Sequence, residues 1–251
     1  GRSKKVLEDH FDLHPELEAI LGSRGKSGLL GDLSKIINST SFMYVRQREP
    51  LGLGHAIWTA RHAIGKEYVS VFLPDDIITG QKPGMSQLIK VAAQEKSSVV
   101  AVQEVPMSEV SRYGVIAVKK QFSPNLFQIK QLVEKPKEKD APSNLAIIGR
   151  YVLSPSIFGA LEEAGAGASG EHQLTDGIQQ LLLSGEKVFA YKIQGTRYDV
   201  GTVSGWLRAN IAMAMKHPAY SAEMSGFLSE MDREMLLIEG KAANLKRRIS
   251  F

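Results

Sequence analysis

Apolar residues along the chain fall into two textures, helical spacing and short runs apolar on both faces. From Lys4 to Leu21, the positions Val6, Leu7, Phe11, Leu17, Ile20 and Leu21 recur at helical intervals, with Pro15 splitting or restarting the helix. A second helix is predicted over Leu29 to Ile37 and a short strand over Phe42 to Val45. Pro50-Leu51-Gly52-Leu53-Gly54 reads as a turn opening a helix through Ala63. The run Tyr68 to Leu73 is apolar on both faces, as a central parallel strand is, and Asp75 and Asp76 stand at its C-terminal end.

A helix over Met85 to Gln94 then leads to another such strand, Ser98 to Val102. Strand, helix and strand in alternation predict an α/β sheet with parallel strands. After Tyr113 the texture changes: Val115 to Val118, Phe127 to Val133 and Ala146 to Val152 are strand-like with few helices between them, which predicts antiparallel pairing. Ser154 to Glu163 and Leu174 to Leu183 read as helices, Val188 to Ile193 as a strand, and Val203 onward as helix. The fold expected is a mixed, mainly parallel Rossmann-like sheet flanked by helices, over residues 1–202, followed by a helical segment, 203–251. There is no internal repeat or low-complexity linker.

Composition narrows the chemistry. With 43% hydrophobic and 23% charged residues in 251, the chain can bury a sizeable core. No apolar run approaches the ~20 residues of a membrane span and nothing at the start resembles a signal peptide, so a cytoplasmic protein without membrane contact is expected. The absence of cysteine excludes disulfides, thiolate catalysis and thiolate metal sites. A metal would be held by carboxylate, imidazole, phosphate or water, which suits a hard cation such as magnesium. The net charge of +4 is modest, with basic residues at Lys4, Lys5, Lys135, Lys137, Lys139, Lys246, Arg247 and Arg248. Without a basic stripe and interleaved aromatics, small phosphates are a better match than nucleic acid.

The candidate residues cluster at strand ends. In open α/β sheets ligands bind outside the carboxyl ends of the strands, where Asp75 and Asp76 could hold a metal-bound phosphate; aspartates there also cap loops and helices. The segment Gln47 to Ala56 sets an amide beside a glycine turn, suited to a flat ligand and a base edge, although a GxG is more often only a tight turn. His55 alone reads as structural. Glu134 could accept bonds from hydroxyls and Lys135 neutralise a phosphate, both reaching one cleft where the strand bends before Pro136. Singly, such a Glu-Lys-Pro is usually solvated surface. Asp199, in Tyr198-Asp199-Val200-Gly201, has a capping role as its simplest reading.

Taken in order, QREPLGLGHA, FLPDD, VQEVP, SRYGVI, VEKP, APSNLAIIGRYVL, GEHQLTD and RYDVG, with GRSKKVLEDHFD at the start, resemble the bacterial UTP-glucose-1-phosphate uridylyltransferases of the sugar nucleotidyltransferase superfamily. The resemblance runs through nearly the whole chain, and QxxxLGLGHA with APSNLAIIGRYVL favours the uridylyl branch over thymidylyl and adenylyl relatives. It implies the nucleotide-diphospho-sugar transferase fold, with UTP and glucose 1-phosphate as substrates and magnesium as cofactor. Carried over, it implies that Gln47 and the Gly52 backbone read uracil and that Asp75 binds the metal. Gly114 and Glu134 would hold glucose hydroxyls, Lys135 the sugar phosphate, and Asp199 would be a second metal carboxylate. In GEHQLTD, His172 stands where relatives usually carry an aliphatic residue, while Glu171 and the rest of the segment match. The implied reaction is in-line attack by a phosphate already ionised at neutral pH, so positioning and charge neutralisation carry it and no side-chain nucleophile is required.

Relatives begin with a strand and a glycine-rich loop of the form GxGTRxxPxTKxxPK, which wraps the triphosphate. Neither Gly22-Ser23-Arg24-Gly25 nor Gly52-Leu53-Gly54 fits it. The chain opens on Gly1-Arg2-Ser3 and runs at once into a helical pattern, as an N-terminally truncated fragment or a processed product would. This polypeptide alone is therefore expected to make no UDP-glucose, and to expose apolar edges.

Other readings are weaker. Glu8-Asp9-His10-Phe11-Asp12 does not bring imidazole and carboxylates together and reads as a solvated helix face. Met213, Met215, Met224, Met231 and Met235 suit a core or a subunit contact, so a homo-oligomer is expected. A non-catalytic paralogue that binds sugar nucleotide is a rival from another class, against which the presence of Asp75, Glu134 and Lys135 argues. Within enzymes, dTTP or galactose 1-phosphate are the alternative substrates.

Overall fold

A computed structural model describes residues 5–167 and 170–249, with side chains to residue 235, Asp32 excepted. The predicted helix start at Lys4 and the side chains of Lys246, Arg247 and Arg248 lie outside the described residues. Three short helices come first: α1 (Lys5–Phe11), α2 (Pro15–Ser23) and α3 (Gly31–Ser39). Pro15 sits in the first turn of α2, where a missing N–H costs nothing. Then come α4 (Leu53–Thr59), α5 (Arg61–Ile64), β1 (Val69–Phe72), β2 (Asp76–Thr79), α6 (Gly84–Glu95), β3 (Ser98–Glu104), β4 (Gly114–Ser123), β5 (Leu126–Glu134) and β6 (Leu145–Leu153). The chain continues through α7 (Ile157–Ala164), α8 (Leu174–Leu183), β7 (Val188–Lys192), β8 (Thr196–Asp199), α9 (Val203–Lys216) and α10 (Ser221–Ile249).

Six strands form one sheet in the order β1-β6-β3-β7-β5-β4, and β2 pairs with β8 in a separate two-stranded ribbon. The class is the mixed α/β one expected, with a difference in how it is mixed. β1, β3, β7 and β4 share one direction, but β6 lies between β1 and β3 and runs against both. Direct parallel pairing is therefore confined to β3 and β7 among the described residues. The predicted strand Phe42 to Val45 does not form. This stretch has no regular structure and all four side chains are exposed, with Phe42 stacked on Phe11 at 4.8 Å, because among the described residues no strand lies alongside to take its backbone bonds. The helix predicted to Ala63 breaks at Ala60, and that predicted from Val203 breaks between α9 and α10.

The alternation of side chains along β3 divides the core into two layers. Val100 and Val102 face α7 and α8, packing with Ile157, Leu161, Ile178 and Leu181. Val99 and Ala101 face α6, packing with Met85, Leu88 and Val91. Ile178 and Leu88 are fully enclosed, each contributing roughly 1.5–3 kcal/mol through burial. Both faces of β3 are covered, so its one buried polar residue, Ser98, is bonded to Ser154, and Gln103 and Glu104 emerge only at its C-terminal end. Among the described residues no helix is long and apolar enough to cross a membrane.

Candidate active site

The turn after β1 and the β2–β8 ribbon bring the carboxylates together. Leu73 N–H bonds to Gly149 O at 2.9 Å and fixes the turn on β6, leaving Asp75 exposed and Asp76 buried. Antiparallel pairing then sets Asp76 opposite Asp199, 123 positions along the chain, and Val200 N–H closes onto Asp75 O at 2.8 Å. An ideal Cβ on Gly201 would stand 3.2 Å from Asp199 Oδ1 and 3.3 Å from Asp75 Oδ2. Those two oxygens thus flank a single point at the mouth of the ribbon.

Asp75 and Asp76, indistinguishable in the sequence, have different surroundings. Asp76 Oδ2 accepts Gly149 N–H at 2.6 Å, and its Oδ1 pairs with Arg197 Nε. Arg150 donates to the carbonyls of Asp76, Leu73 and Gly149, tying the same turn. Asp76 is consumed in structure, whereas Asp75 stays exposed on the cavity wall. Burial alone would push the Arg197 guanidinium down, but its bonds to Tyr113 and Asp76 outweigh that and hold it above its ordinary value. Arg197 also reaches Asp199 Oδ2 at 3.6 Å and Tyr113 Oη at 3.4 Å, and Arg112 meets Asp199 Oδ2 at 3.5 Å.

A second wall of the site is built where β4 begins and β5 ends. Gly114 pairs with Glu134, and Thr175, at the start of α8, donates to Glu134 Oε2 at 2.9 Å. A Cβ at position 114 would lie 2.8 Å from Thr175 Cγ2 and 3.0 Å from Glu134 Oε2, so the close approach of these groups requires glycine. Lys135 follows in a left-handed conformation, φ 45°, costing roughly 1–3 kcal/mol for a residue with a side chain. Its N–H bonds to Tyr113 O at 3.0 Å, which holds the strained turn. The Lys135 side chain is 59% exposed, its ammonium 3.9 Å from Glu134 Oε1.

Asp75, Asp199, Gly114, Glu134 and Lys135 line one cavity of about 380 Å³, with Arg112, Tyr113, Thr175 and Arg197. Gln47 and Gly52 are not on its wall; they adjoin it through Leu53, which is. Gly52 has φ 107° and its position for a Cβ is 2.6 Å from His172 O, so glycine is required twice over. The bonds His172 N–H to Leu51 O and Gly54 N–H to His172 O, both 2.8 Å, seat the turn against the segment before α8. Gln47 Nε2 donates to Gly52 O at 3.1 Å and lies 3.0 Å from His55 Nδ1. The roles of Asp76, Arg197, Arg112 and Thr175 were missed by sequence reasoning. Asp76 was singled out with Asp75 but for another role, and Arg197 carried a signal in standing two residues before Asp199 on a strand and hence on the same face.

A mixed sheet with helices on both faces, and a cleft lined by carboxylates and cations at its strand ends, defines a nucleotide-handling α/β protein. The chain belongs to the nucleotidyl transferase family, whose model matches residues 17–216. Members of this family generally use a divalent metal. The chain is 44% identical to a UTP–glucose-1-phosphate uridylyltransferase of Staphylococcus epidermidis over 92% of its own length and 80% of the relative's. With the corresponding protein of Bacillus subtilis it shares 45% over 91% of this chain and 77% of the relative. An apo UDP-glucose pyrophosphorylase superposes with TM-score 0.81 at 39% identity, over 86% of this chain and 79% of that one. A UTP-bound enzyme from Acinetobacter baumannii gives TM-score 0.82 at 34% identity, over 91% and 80%.

Proposed function

We propose that this chain carries the uridylyl-transfer site of a cytoplasmic enzyme that joins UTP and glucose 1-phosphate into UDP-glucose and pyrophosphate. The observation that carries this reading is the convergence of Asp75, Asp199, Gly114, Glu134 and Lys135 on one cavity. The Glu134 carboxylate, fixed by Thr175, accepts bonds from glucose hydroxyls, and the adjoining Gly114 backbone lets the ring lie close. Lys135 meets the sugar phosphate. Gly52 N–H, which has no hydrogen-bond partner among the described residues, donates to a uracil carbonyl while Gln47 accepts from the ring N–H.

An anionic oxygen of glucose 1-phosphate attacks the α-phosphorus of UTP, the new P–O bond forms, and the bond to the β-phosphate breaks with its electron pair leaving on pyrophosphate. Lys135 offsets charge on the attacking phosphate, and the cavity walls hold the two reactants in line. Asp75 and Asp199, both on the cavity wall, would hold magnesium, a hard cation suited to carboxylate oxygen together with phosphate and water. When bound, the metal would neutralise the charge gathering on the phosphates. Beyond the site, α9 and α10 expose Trp206, Leu207, Phe227 and Met231, which suit contact with a second copy of the chain.

Titration of the purified chain with UDP-glucose tests the reading. Binding is expected, weakened about tenfold or more in Glu134→Ala, the loss of charged hydrogen bonds to hydroxyls. A wild-type chain that fails to bind UDP-glucose, or an alanine variant that binds as well, overturns it.

A further inference from the structure

His55 has no part in the reaction proposed above, yet its ring is bonded to the residue assigned to read the base. A carboxamide offers an acceptor at one end and donors at the other, and which end faces a ligand depends on what holds it from behind. Here both groups behind Gln47 are acceptors engaging Nε2, the Gly52 carbonyl at 3.1 Å and His55 Nδ1 at 3.0 Å. A flipped amide would set Oε1 against the Gly52 carbonyl oxygen and against the lone pair on Nδ1. The Nδ1 lone pair in turn requires the imidazole proton to be on Nε2. The ring is flanked by Trp58, one turn further along the same helix α4, at 6.1 Å and by His172, from the segment before α8, at 5.8 Å between ring centres.

We propose that His55 is a positioning residue which, by accepting from Gln47 Nε2, turns Gln47 Oε1 outward and so restricts the site to bases bearing N–H at the ring position that Gln47 meets. Uracil and thymine present that N–H; cytosine presents a lone pair, which would face Oε1 without a proton between them. Rejection then comes from an unpaired polar group, the kind of mismatch that discriminates strongly. The inference rests on Gln47 as the base reader, and the experiment separates the two.

Dissociation constants for UDP-glucose and CDP-glucose are measured on the wild-type chain and on His55→Leu, His55→Gln, His55→Asn and Gln47→Ala, with melting temperature confirming that each is folded. Leucine removes the acceptor, and glutamine carries its polar atoms past the Nδ1 position. In both, the preference for UDP-glucose is expected to fall roughly five- to tenfold, the worth of one hydrogen bond. Asparagine places Oδ1 near the Nδ1 position and is expected to restore most of the preference. An unchanged ratio in both the leucine and glutamine variants, beside a lost preference in Gln47→Ala, overturns the role of His55 and leaves base reading by Gln47 standing. A preference that survives Gln47→Ala, or is absent from the wild type, overturns the base-reading assignment and this inference with it.

Discussion

Replacing Arg197 by leucine removes the partner of a buried carboxylate. Asp76 is 5% exposed, the Arg197 side chain 13%, and the pair is joined through Nε. In the variant, Asp76 keeps the Gly149 N–H and the neighbouring Arg150 but loses the cation paired directly with its carboxylate, and Asp199 and Tyr113 lose their shared contact. Breaking a buried pair from one side costs about 3–5 kcal/mol, a large part of the roughly 5–15 kcal/mol that holds a domain together. Equilibrium urea unfolding followed by the fluorescence of Trp58 and Trp206 measures it, with the midpoint expected to drop while the slope stays constant. Adding Asp76→Asn should recover part of the loss, because the stranded charge is then gone. A single variant within about 1 kcal/mol of wild type would refute the claim that this pair organises the ribbon.

Two further outcomes follow from neighbouring groups. Burial, with the Glu134 and Asp76 charges, pushes the Tyr151 hydroxyl well above its ordinary 10.0, so the unfolded chain releases this proton first. Its contribution is complete below pH 10.0 and is lost as pH rises beyond it; urea midpoints should fall above that pH in wild type and fall less in Tyr151→Phe. In Thr175→Val, Glu134 loses a donor at 2.9 Å, and UDP-glucose should bind about three- to tenfold more weakly with little change in melting temperature, as titration and calorimetry would show.

What the sequence disclosed depended on how local each signal is. The run Ser98 to Val102 is apolar on both faces because α6 covers one side of β3 and α7 and α8 the other, so composition alone revealed a central strand. The Leu174 to Leu183 helix was legible to the residue, its apolar positions falling on one buried stripe. The β2–β8 ribbon was not legible. Each strand has four residues, its burial is mixed, and its partner lies more than a hundred positions away. Nor could chain order reveal that β6 inserts between β1 and β3, since nothing in a strand's own residues names its neighbours. Phe42 to Val45 shows the reverse failure, an apolar run with strand propensity that has no strand beside it.

The candidate site divides in the same way. Asp75, Glu134, Lys135 and Asp199 stood out because each closes an apolar run or precedes a glycine or proline. The separation of Asp75 from Asp76 needed Arg197 and the Gly149 backbone, which only the folded chain brings up. Gln47 and Gly52 were legible as a turn with an amide beside it, whereas the bond from Gln47 to His55 depends on α4 carrying the imidazole back over the turn.

The most direct test of the account is magnesium-dependent formation of UDP-glucose from UTP and glucose 1-phosphate, followed in a polypeptide that also carries a GxGTR loop ahead of this chain, as wild type and as Asp75→Asn. The account predicts turnover that requires magnesium and falls about a hundredfold or more in the variant, while its urea midpoint stays near wild type. Turnover that Asp75→Asn leaves intact, or that proceeds equally without the metal, would contradict it.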